Sequence, residues 1–236
     1  MTQFKLHTIK SAPEGSKEIL EGALKQNGFK KLKMKKLILL FVVATLFSFS
    51  GYAQLPDKAE DISPLLNGEI LPDAVLKSPD GSEHKLPEIL RQKPSVVLFY
   101  RGGWCPFCNA HLAEIQGVQS EVVNLGYQII AISPDSPENL QATDEKHNLA
   151  YSLYSDADGE LIKAIGIAFN APEKYSGMLS EKSDGLNDGF LPVPSVFVTD
   201  TSGKILFEYI NPDYKTRLSG GLLLAVLKEL KKEQKK

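Results

Sequence analysis

Residues 95–108 read SVVLFYRGGWCPFC, and the rest of the sequence is best understood from them. The run 95–100 is apolar and rich in β-branched and aromatic residues, which indicates a buried strand. Two glycines follow, and apolar residues then recur at helical spacing as far as Leu125. This pattern predicts a strand, a tight turn and a helix. Cys105 and Cys108, the only cysteines of the chain, fall in the first turn of that helix.

A helix start stabilises a thiolate, because its first N–H groups lack helical partners and the peptide dipoles leave about half a positive charge there. In such a Cys-x-x-Cys pair the pKa of the first thiol can fall from about 8.5 to between about 3.5 and 7.5. We therefore expect Cys105 to be ionised and reachable, and Arg101 to favour its charge if it turns inward. Pro106 suits the first helical position. Cys108 lies one turn on and can close a disulfide with an oxidised Cys105.

Other uses of the two cysteines fit the sequence less well. A static disulfide or a pair of buried thiols is the structural alternative. A zinc site needs about four ligands, and only His111 is near in sequence, while a haem attachment needs His where Asn109 stands. We expect neither metal nor cofactor, and no catalytic role for His84, His111 or His147, whose contexts are polar or typical of a helix surface.

Residues 34–53 have the pattern of a secretory signal peptide. A basic start precedes the 13-residue apolar run 37–49, and small residues lead to a cleavage site after Ala53. Thirteen residues are too few to span a bilayer, which takes about 20; an uncleaved N-terminal anchor is the alternative. Residues 1–33 form an upstream extension that is not part of the signal-peptide pattern. Translation from Met34 is therefore an alternative to translation from Met1.

Removal of residues 1–53 leaves 18 basic and 26 acidic residues, a net charge of −8. That balance gives neither the basic footprint of a nucleic-acid-binding protein nor a polybasic membrane patch. We expect residues 54–236 to form one globular domain that is exported to the bacterial periplasm, without nucleic acid and without stable membrane association once the signal is cleaved.

Alternating strand and helix signals along residues 54–236 predict an α/β fold with a central mixed sheet flanked by helices. Residues 170–191, with three glycines and scattered charges, are predicted to form an inserted surface loop that shapes substrate access. Further strands are predicted at 71–77, 127–132, 151–154, 196–199 and 204–210, and further helices at 87–91, from Ser136-Pro137 onward, at 158–165 and at 218–232.

Four motifs resemble peroxiredoxin-like proteins of the alkyl hydroperoxide reductase/thiol-specific antioxidant family, over roughly residues 64 to 232. The motifs are FYRGGWCPFC at 99–108, ISP at 132–134, LPVPSVFV at 191–198 and NPDY at 211–214. The resemblance implies a thioredoxin-like fold in which Cys105 is the attacking thiol and Cys108 its resolving partner. It also implies a cis Val193–Pro194 bond that presents the backbone of Val193 to a bound thiol partner, whereas the general frequency of cis bonds favours trans.

The sequence departs from this family where a peroxide would be held. Peroxiredoxins carry Pro-x-x-x-Thr-x-x-Cys, but Leu98 and Gly102 stand in place of the proline and threonine, and Pro194 takes the place of a distant arginine. Oxygen–oxygen cleavage thus lacks its usual donors, and Arg101 is the nearby substitute. In contrast to thioredoxin, the strand 96–99 carries no buried acid.

The leading interpretation is a thiol peroxidase that reduces hydroperoxides at Cys105, is resolved by Cys108 and receives electrons from a thioredoxin-like donor. The alternative is an exported thiol-disulfide reductase of the cytochrome-maturation type that acts on protein disulfides. A copper carrier using both cysteines and a histidine is a third possibility. Gly103 and Trp104 are expected to support the site, with Trp104 shielding the dithiol from water.

Overall fold

The computed structural model describes residues 54–147 and 149–233, together with residues 17, 18 and 21. The chain divides into two compact units, Met1–Ala53 and Gln54–Lys236. The predicted signal peptide lies outside the described residues, as does the predicted upstream extension apart from those three. Within the described ranges no helix combines the length and the apolar character needed to cross a bilayer.

A seven-stranded mixed sheet lies at the centre of the unit Gln54–Lys236 and confirms the predicted architecture. The strands of the described residues are β1 (Val75–Lys77), β2 (Glu83–Lys85), β3 (Ser95–Phe99), β4 (Gln128–Ser133), β5 (Ser152–Ser155), β6 (Ala168–Asn170), β7 (Phe190–Pro192), β8 (Ser195–Thr199) and β9 (Ile205–Ile210). The order in the central sheet is β2-β1-β5-β4-β3-β8-β9. Strands β3, β4 and β5 are parallel neighbours, and the other pairs in this sheet are antiparallel.

Helices cover both faces of the sheet, so that β3 is buried on both sides. Val96 and Leu98 of β3 belong to one apolar cluster, while Val97 and Phe99 belong to the other. This two-sided burial explains why the strand reads as a continuous apolar run rather than as an alternating one. The helices are α1 (Leu86–Leu90), α2 (Pro106–Asn124), α3 (Pro137–His147), α4 (Glu160–Ala164), α5 (Ser176–Lys182) and α6 (Gly220–Glu233).

The chain leaves β3 at the centre of the sheet and enters α2 through a six-residue connection, 100–105. β3 pairs in parallel with β4, so the carboxyl ends of both strands lie at the same edge of the sheet. The antiparallel partner β8 begins at that edge, because Ser195 pairs with Phe99. The segments that follow β3 and β4 and the segment that precedes β8 therefore meet above the sheet edge.

The prediction of a surface loop at 170–191 is wrong. This region contains a 3₁₀ turn at Glu173–Tyr175, the helix α5 and the strand β7, which pairs with β6 in a second, two-stranded sheet. Leu179 and Phe190 are buried in it, and the Asn187 side chain accepts hydrogen bonds from the backbone of Gly189 and Phe190. The glycines and charged residues of this region are typical of a loop, and the burial of Leu179 and Phe190 was not evident from the sequence.

Gly166 provides a test of how tightly the fold is packed at the end of α4. Its φ is +73°, and an added Cβ would collide with the backbone carbonyl of Ser63. We expect Gly166→Ala to lower the free energy of unfolding by at least about 2 kcal/mol. In contrast, an added Cβ on Gly117 in α2 meets no other atom within 4 Å. Gly117→Ala should therefore raise the free energy of unfolding by roughly 0.5–1 kcal/mol. Urea denaturation of both variants measures the difference; equal shifts would contradict the close packing.

Candidate active site

Cys105 stands at the junction of the turn and the helix, as the sequence predicts. It is the N-cap residue of α2, with extended backbone (φ −88°, ψ 116°), and Pro106 follows in the first helical turn. The Cys105 N–H donates to the carbonyl oxygen of Gly102 at 3.1 Å, which closes the turn. The sulfur therefore sits where unpaired helical N–H groups and the helix dipole favour a negative charge.

The two thiols are free, and they differ sharply in acidity. The Cys108 thiol donates a hydrogen bond to the Cys105 sulfur, and this bond, the Cys108 backbone N–H and the charges of Arg101 and Arg217 lower the pKa of Cys105 to about 6 against the effect of burial. Burial, together with the hydrogen bond to Cys105 and its charge, raises the pKa of Cys108 well above the ordinary value. Cys105 is thus the thiolate and Cys108 the proton donor at neutral pH.

Both sulfurs are enclosed, so the expectation of a reachable Cys105 is not met in this structure. Each cysteine exposes only 1% of its surface. Arg101, 5% exposed, turns inward as the sequence allowed. Its guanidinium carbon lies 4.4 Å from the ring centre of Tyr214, 5.0 Å from that of Trp104 and 5.4 Å from that of Tyr175. These cation–π contacts hold a positive charge beside the dithiol.

A cleft of about 260 Å³ lies against this arginine. Its wall is mostly apolar and aromatic, and Arg101 and Lys174 are the charged residues that line it. No carboxylate lines it among the described residues, so the cleft suits an apolar or anionic molecule. Its further lining residues are Ala59, Phe169, Pro172, Tyr175, Leu191, Pro192, Val193, Pro194, Pro212 and Tyr214.

Arg217 is a second cation that the sequence did not single out. It lies between β9 and α6, and its Nη2 is 3.5 Å from the Cys108 sulfur. The residue is separated from Cys108 by 109 positions and belongs to neither a strand nor a helix. No periodicity or spacing marks such a position, and only its closeness to the motif at 211–214 could have drawn attention to it.

Asp135 is a buried acid that the sequence analysis also missed. It follows β4, and its Oδ2 accepts hydrogen bonds from the Gly103 N–H at 2.7 Å and from Ser133 Oγ at 3.0 Å. Burial raises the pKa of Asp135 to about 6, although both hydrogen bonds oppose this. A buried carboxyl group therefore does lie beside the turn at 102–104, but it comes from the segment after β4 and not from β3. It fixes the turn that carries Trp104.

Gly103 and Trp104 lie at the site, as predicted. An added Cβ on Gly103 would collide with Thr143 Oγ1, so this turn tolerates only glycine where it packs against α3. Trp104 is half-buried, and its ring centre lies 5.6 Å from that of Tyr175 at an interplanar angle of 38°. It packs against the apolar cluster that contains Cys105 and Cys108, and its shielding of the dithiol stays a prediction.

The implied cis Val193–Pro194 bond is wrong, because no cis peptide bond occurs among the described residues. The chain runs extended from β7 into β8. The Val193 N–H already donates to the carbonyl oxygen of Ile167 at 2.8 Å, and its carbonyl oxygen accepts from Ser195 Oγ at 2.8 Å. The backbone of Val193 is therefore committed within the protein rather than presented to a thiol partner. Pro194 lines the cleft beside Arg101.

The three described histidines are His84, His111 and His147. His111 is buried rather than on a helix surface as expected, and its Nε2 lies 3.0 Å from the carbonyl oxygen of Leu218. Burial and the charge of Arg217 lower the pKa of His111 to about 4. His84 lies 3.0 Å from Ser78 Oγ in the first hairpin, and His147 ends α3. Among the described residues no group of three or more His, Cys, Asp or Glu side chains could hold a metal ion.

The hydrogen bond between the two sulfurs can be tested by alkylation. We expect the rate at which iodoacetamide modifies Cys105 to rise with a midpoint near pH 6. Cys108→Ala removes the thiol donor and should move the midpoint upward by at least about one unit, while Cys108→Ser keeps a hydroxyl donor and should move it less. Mass spectrometry of the Cys105 peptide across pH 4–9 measures the midpoint in the wild-type protein and in both variants. An unchanged midpoint in Cys108→Ala would contradict the assignment.

Comparison with known proteins identifies the family of the chain. The profile of the AhpC/TSA family matches residues 67–207. The chain is 29% identical over 168 residues to the peroxiredoxin Bcp of Escherichia coli, which covers 71% of this chain and 99% of the relative. It is 23% identical to the thiol-disulfide oxidoreductase ResA of Geobacillus thermodenitrificans, over 74% of this chain and 84% of the relative.

The structural comparison agrees with the sequence comparison and confirms the predicted thioredoxin-like fold. Peroxidoxin BcpB from Mycobacterium tuberculosis superposes with a TM-score of 0.56 and 22% identity, over 70% of this chain and 97% of that protein. The family profile spans more than half of the chain, including both cysteines and the strands that flank them. The chain belongs to the AhpC/TSA family.

Proposed function

We propose that the protein is a thiol-dependent peroxidase in which Cys105 reduces hydroperoxides and Cys108 resolves the product. The observation that carries the proposal is the Cys105 sulfur at the start of α2, with its pKa lowered to about 6 beside two guanidinium groups. A thiolate is the reactive form of cysteine, and cations beside it can stabilise the alkoxide that leaves when the oxygen–oxygen bond breaks. Membership of the AhpC/TSA family and the likeness to peroxiredoxin Bcp support it.

The proposed catalytic cycle has three steps. The Cys105 thiolate attacks the terminal peroxide oxygen, the oxygen–oxygen bond breaks, and the alkoxide takes a proton, leaving a sulfenic acid and an alcohol or water. The Cys108 thiol then attacks the Cys105 sulfur, forming a disulfide and releasing water. A thioredoxin-like dithiol donor reduces the disulfide and is itself oxidised. The donor and the hydroperoxide are the partners that this cycle requires.

Access to the sulfur requires a local movement, because Cys105 is enclosed beneath Arg101. The cleft reaches Arg101 and Tyr214 from outside. Tyr214, which is half-buried in the segment between β9 and α6, contacts Arg101 at the cleft, and its displacement is the movement that we propose for opening the route. A hydroperoxide entering there meets the guanidinium of Arg101, the substitute for the donors that Leu98 and Gly102 do not provide.

A second candidate is the thiol-disulfide reductase. The Cys-x-x-Cys pair itself and the likeness to the oxidoreductase ResA favour it. One observation weighs against it: the N–H and the carbonyl oxygen of Val193 are already hydrogen-bonded within the protein, so this backbone is not free to pair with a protein partner.

We further propose that the protein is exported, with cleavage after Ala53. The pattern of 34–53 supports this, and so does the boundary of the compact unit, which begins at Gln54. Expressed from its own sequence in a Gram-negative host, the protein should appear in the periplasmic fraction with Gln54 as the first residue by intact mass. A product beginning at Met1 or Met34 and retained with the cytosolic fraction would overturn this proposal.

The peroxidase proposal is tested by turnover with thioredoxin, thioredoxin reductase and NADPH. Wild-type protein should oxidise NADPH when hydrogen peroxide or an organic hydroperoxide is supplied. Cys105→Ser should abolish this entirely, whereas Cys108→Ser should consume about one equivalent of peroxide per molecule and then stop, because the sulfenic acid has no resolving thiol. Insulin disulfides serve as the competing substrate in a separate assay, in which dithiothreitol replaces thioredoxin and the rate without the protein is subtracted. Reduction of insulin without consumption of peroxide would establish the reductase instead.

A further inference from the structure

Arg217 is held at the dithiol in a way that its structural surroundings do not explain. One nitrogen, Nη2, lies 3.5 Å from the Cys108 sulfur. Its Nε and Nη1 are buried and lack a hydrogen-bond partner among the described residues. Guanidinium nitrogens buried without acceptors are costly. An arginine in this position therefore needs a role at the sulfur that it touches.

Among the described residues no carboxylate forms an ion pair within 4 Å with this arginine. Asp213, on the same segment, is exposed and senses the charge only weakly, since its hydrogen bonds to Lys215 and Thr216 dominate its lowered pKa. The positive charge of Arg217 thus acts on the two sulfurs and on His111, which is buried beside it.

The segment that carries Arg217 is anchored to α2 at its far end. The Leu218 carbonyl oxygen lies 3.0 Å from His111 Nε2, and the Gly220 N–H donates to Glu114 Oε1 at 2.9 Å. His111 lies one turn after Cys108 in the same helix. The guanidinium is therefore positioned relative to Cys108 by the helix that carries the cysteine.

We propose that Arg217 acts in the second step of the cycle, where it stabilises the thiolate that Cys108 becomes as it attacks the oxidised Cys105 sulfur. The inference rests on the proposed dithiol chemistry of Cys105 and Cys108 and assigns a residue to its resolving step. Arg101 and Arg217 both favour the Cys105 thiolate. The direct contact of Arg217 is with the Cys108 sulfur, whereas the guanidinium of Arg101 is held among aromatic rings at the cleft.

The state of Cys105 determines when this contact matters. In the reduced protein, the Cys105 thiolate accepts a hydrogen bond from the Cys108 thiol, and its negative charge opposes the formation of a second thiolate at Cys108. Once Cys105 is a neutral sulfenic acid, that opposition ends. The charge of Arg217 and the backbone N–H of Arg101 remain, and both favour a Cys108 thiolate. The Cys108 proton leaves with the hydroxide of the sulfenic acid as water while the sulfur–sulfur bond forms.

The resolving step can be isolated with 4,4′-dithiodipyridine, an uncharged disulfide. The Cys105 thiolate attacks it, forms a mixed disulfide and releases one thiopyridone. Cys108 then attacks the Cys105 sulfur, closes the internal disulfide and releases the second thiopyridone. Stopped-flow absorbance resolves the two releases as separate phases, without any peroxide. The second phase reports the nucleophilicity of Cys108 and the first that of Cys105.

Arg217→Met should slow the second phase by about tenfold or more, because hydrogen bonds to charged groups contribute on that scale, and the first phase by less than about threefold. Arg217→Lys, which keeps a charge but loses the planar fork, should recover part of the second rate. Arg91→Met, at an exposed position after α1, is the matched control and should leave both phases unchanged. An unchanged second phase in Arg217→Met, or equal slowing of both phases, would overturn the assignment.

A peroxide arm separates this inference from the proposed function. With one equivalent of hydrogen peroxide, Arg217→Met should accumulate a sulfenic acid that dimedone traps, while wild-type protein passes on to the disulfide. Failure of wild-type protein to react with peroxide would defeat the peroxidase proposal, yet the thiopyridone phases would still decide the role of Arg217. Normal disulfide formation in Arg217→Met in both arms would defeat the inference alone.

Discussion

Two buried sulfurs share one proton in this site, and the arrangement of the surrounding chain follows from that. The Cys108 thiol donates to the Cys105 sulfur, so that one cysteine is charged and the other is neutral. A charge enclosed at 1% exposure is costly unless it is paired and hydrogen-bonded. The helix start, the Cys108 backbone N–H and the two guanidinium groups supply that compensation, and the reactivity of Cys105 is its consequence.

The reactivity of the dithiol depends on its enclosure. Low local polarity strengthens each contact to the thiolate, and both cysteines are almost completely buried. A site closed in this way cannot exchange substrate without movement. The parts that cover it belong to connecting segments rather than to the sheet: the turn after β3, the 3₁₀ turn before α5 and the segment before α6. Local opening can therefore expose the sulfur while the sheet keeps its register.

The sequence predicted the secondary structure that neighbouring residues determine, and it missed the side chains that the tertiary fold brings to the site. The apolar run of β3, the glycines of the turn and Pro106 determine their own structure within a few residues, and the position of Cys105 at the helix start follows from them. Asp135 and Arg217 reach the site from 32 and 109 positions away. Their side chains carry no periodic signal, because the fold rather than a helix or strand pattern brings them there.

Two further errors have the same origin. The region 170–191 was predicted as a loop from its glycines and charges, although the burial of Leu179 and Phe190 against the rest of the chain decides its structure. The implied cis bond before Pro194 came from a resemblance, whereas the hydrogen bonds of Val193 to Ile167 and Ser195 fix the chain at that point. In both cases a tertiary contact overrides a local or family-based expectation.

The two arginines also bear on how the cycle closes. In the reduced protein they face a thiolate, but in the disulfide neither sulfur is charged, and both guanidinium groups lose the anion that compensates for their burial. Oxidation therefore leaves Arg217, with Nε and Nη1 already unpartnered, in a less favourable environment than reduction does. A dithiol whose reduced form is selectively stabilised forms a disulfide that is readily reduced again. The cations that activate Cys105 thus also favour return of the disulfide to the thiols by a dithiol donor.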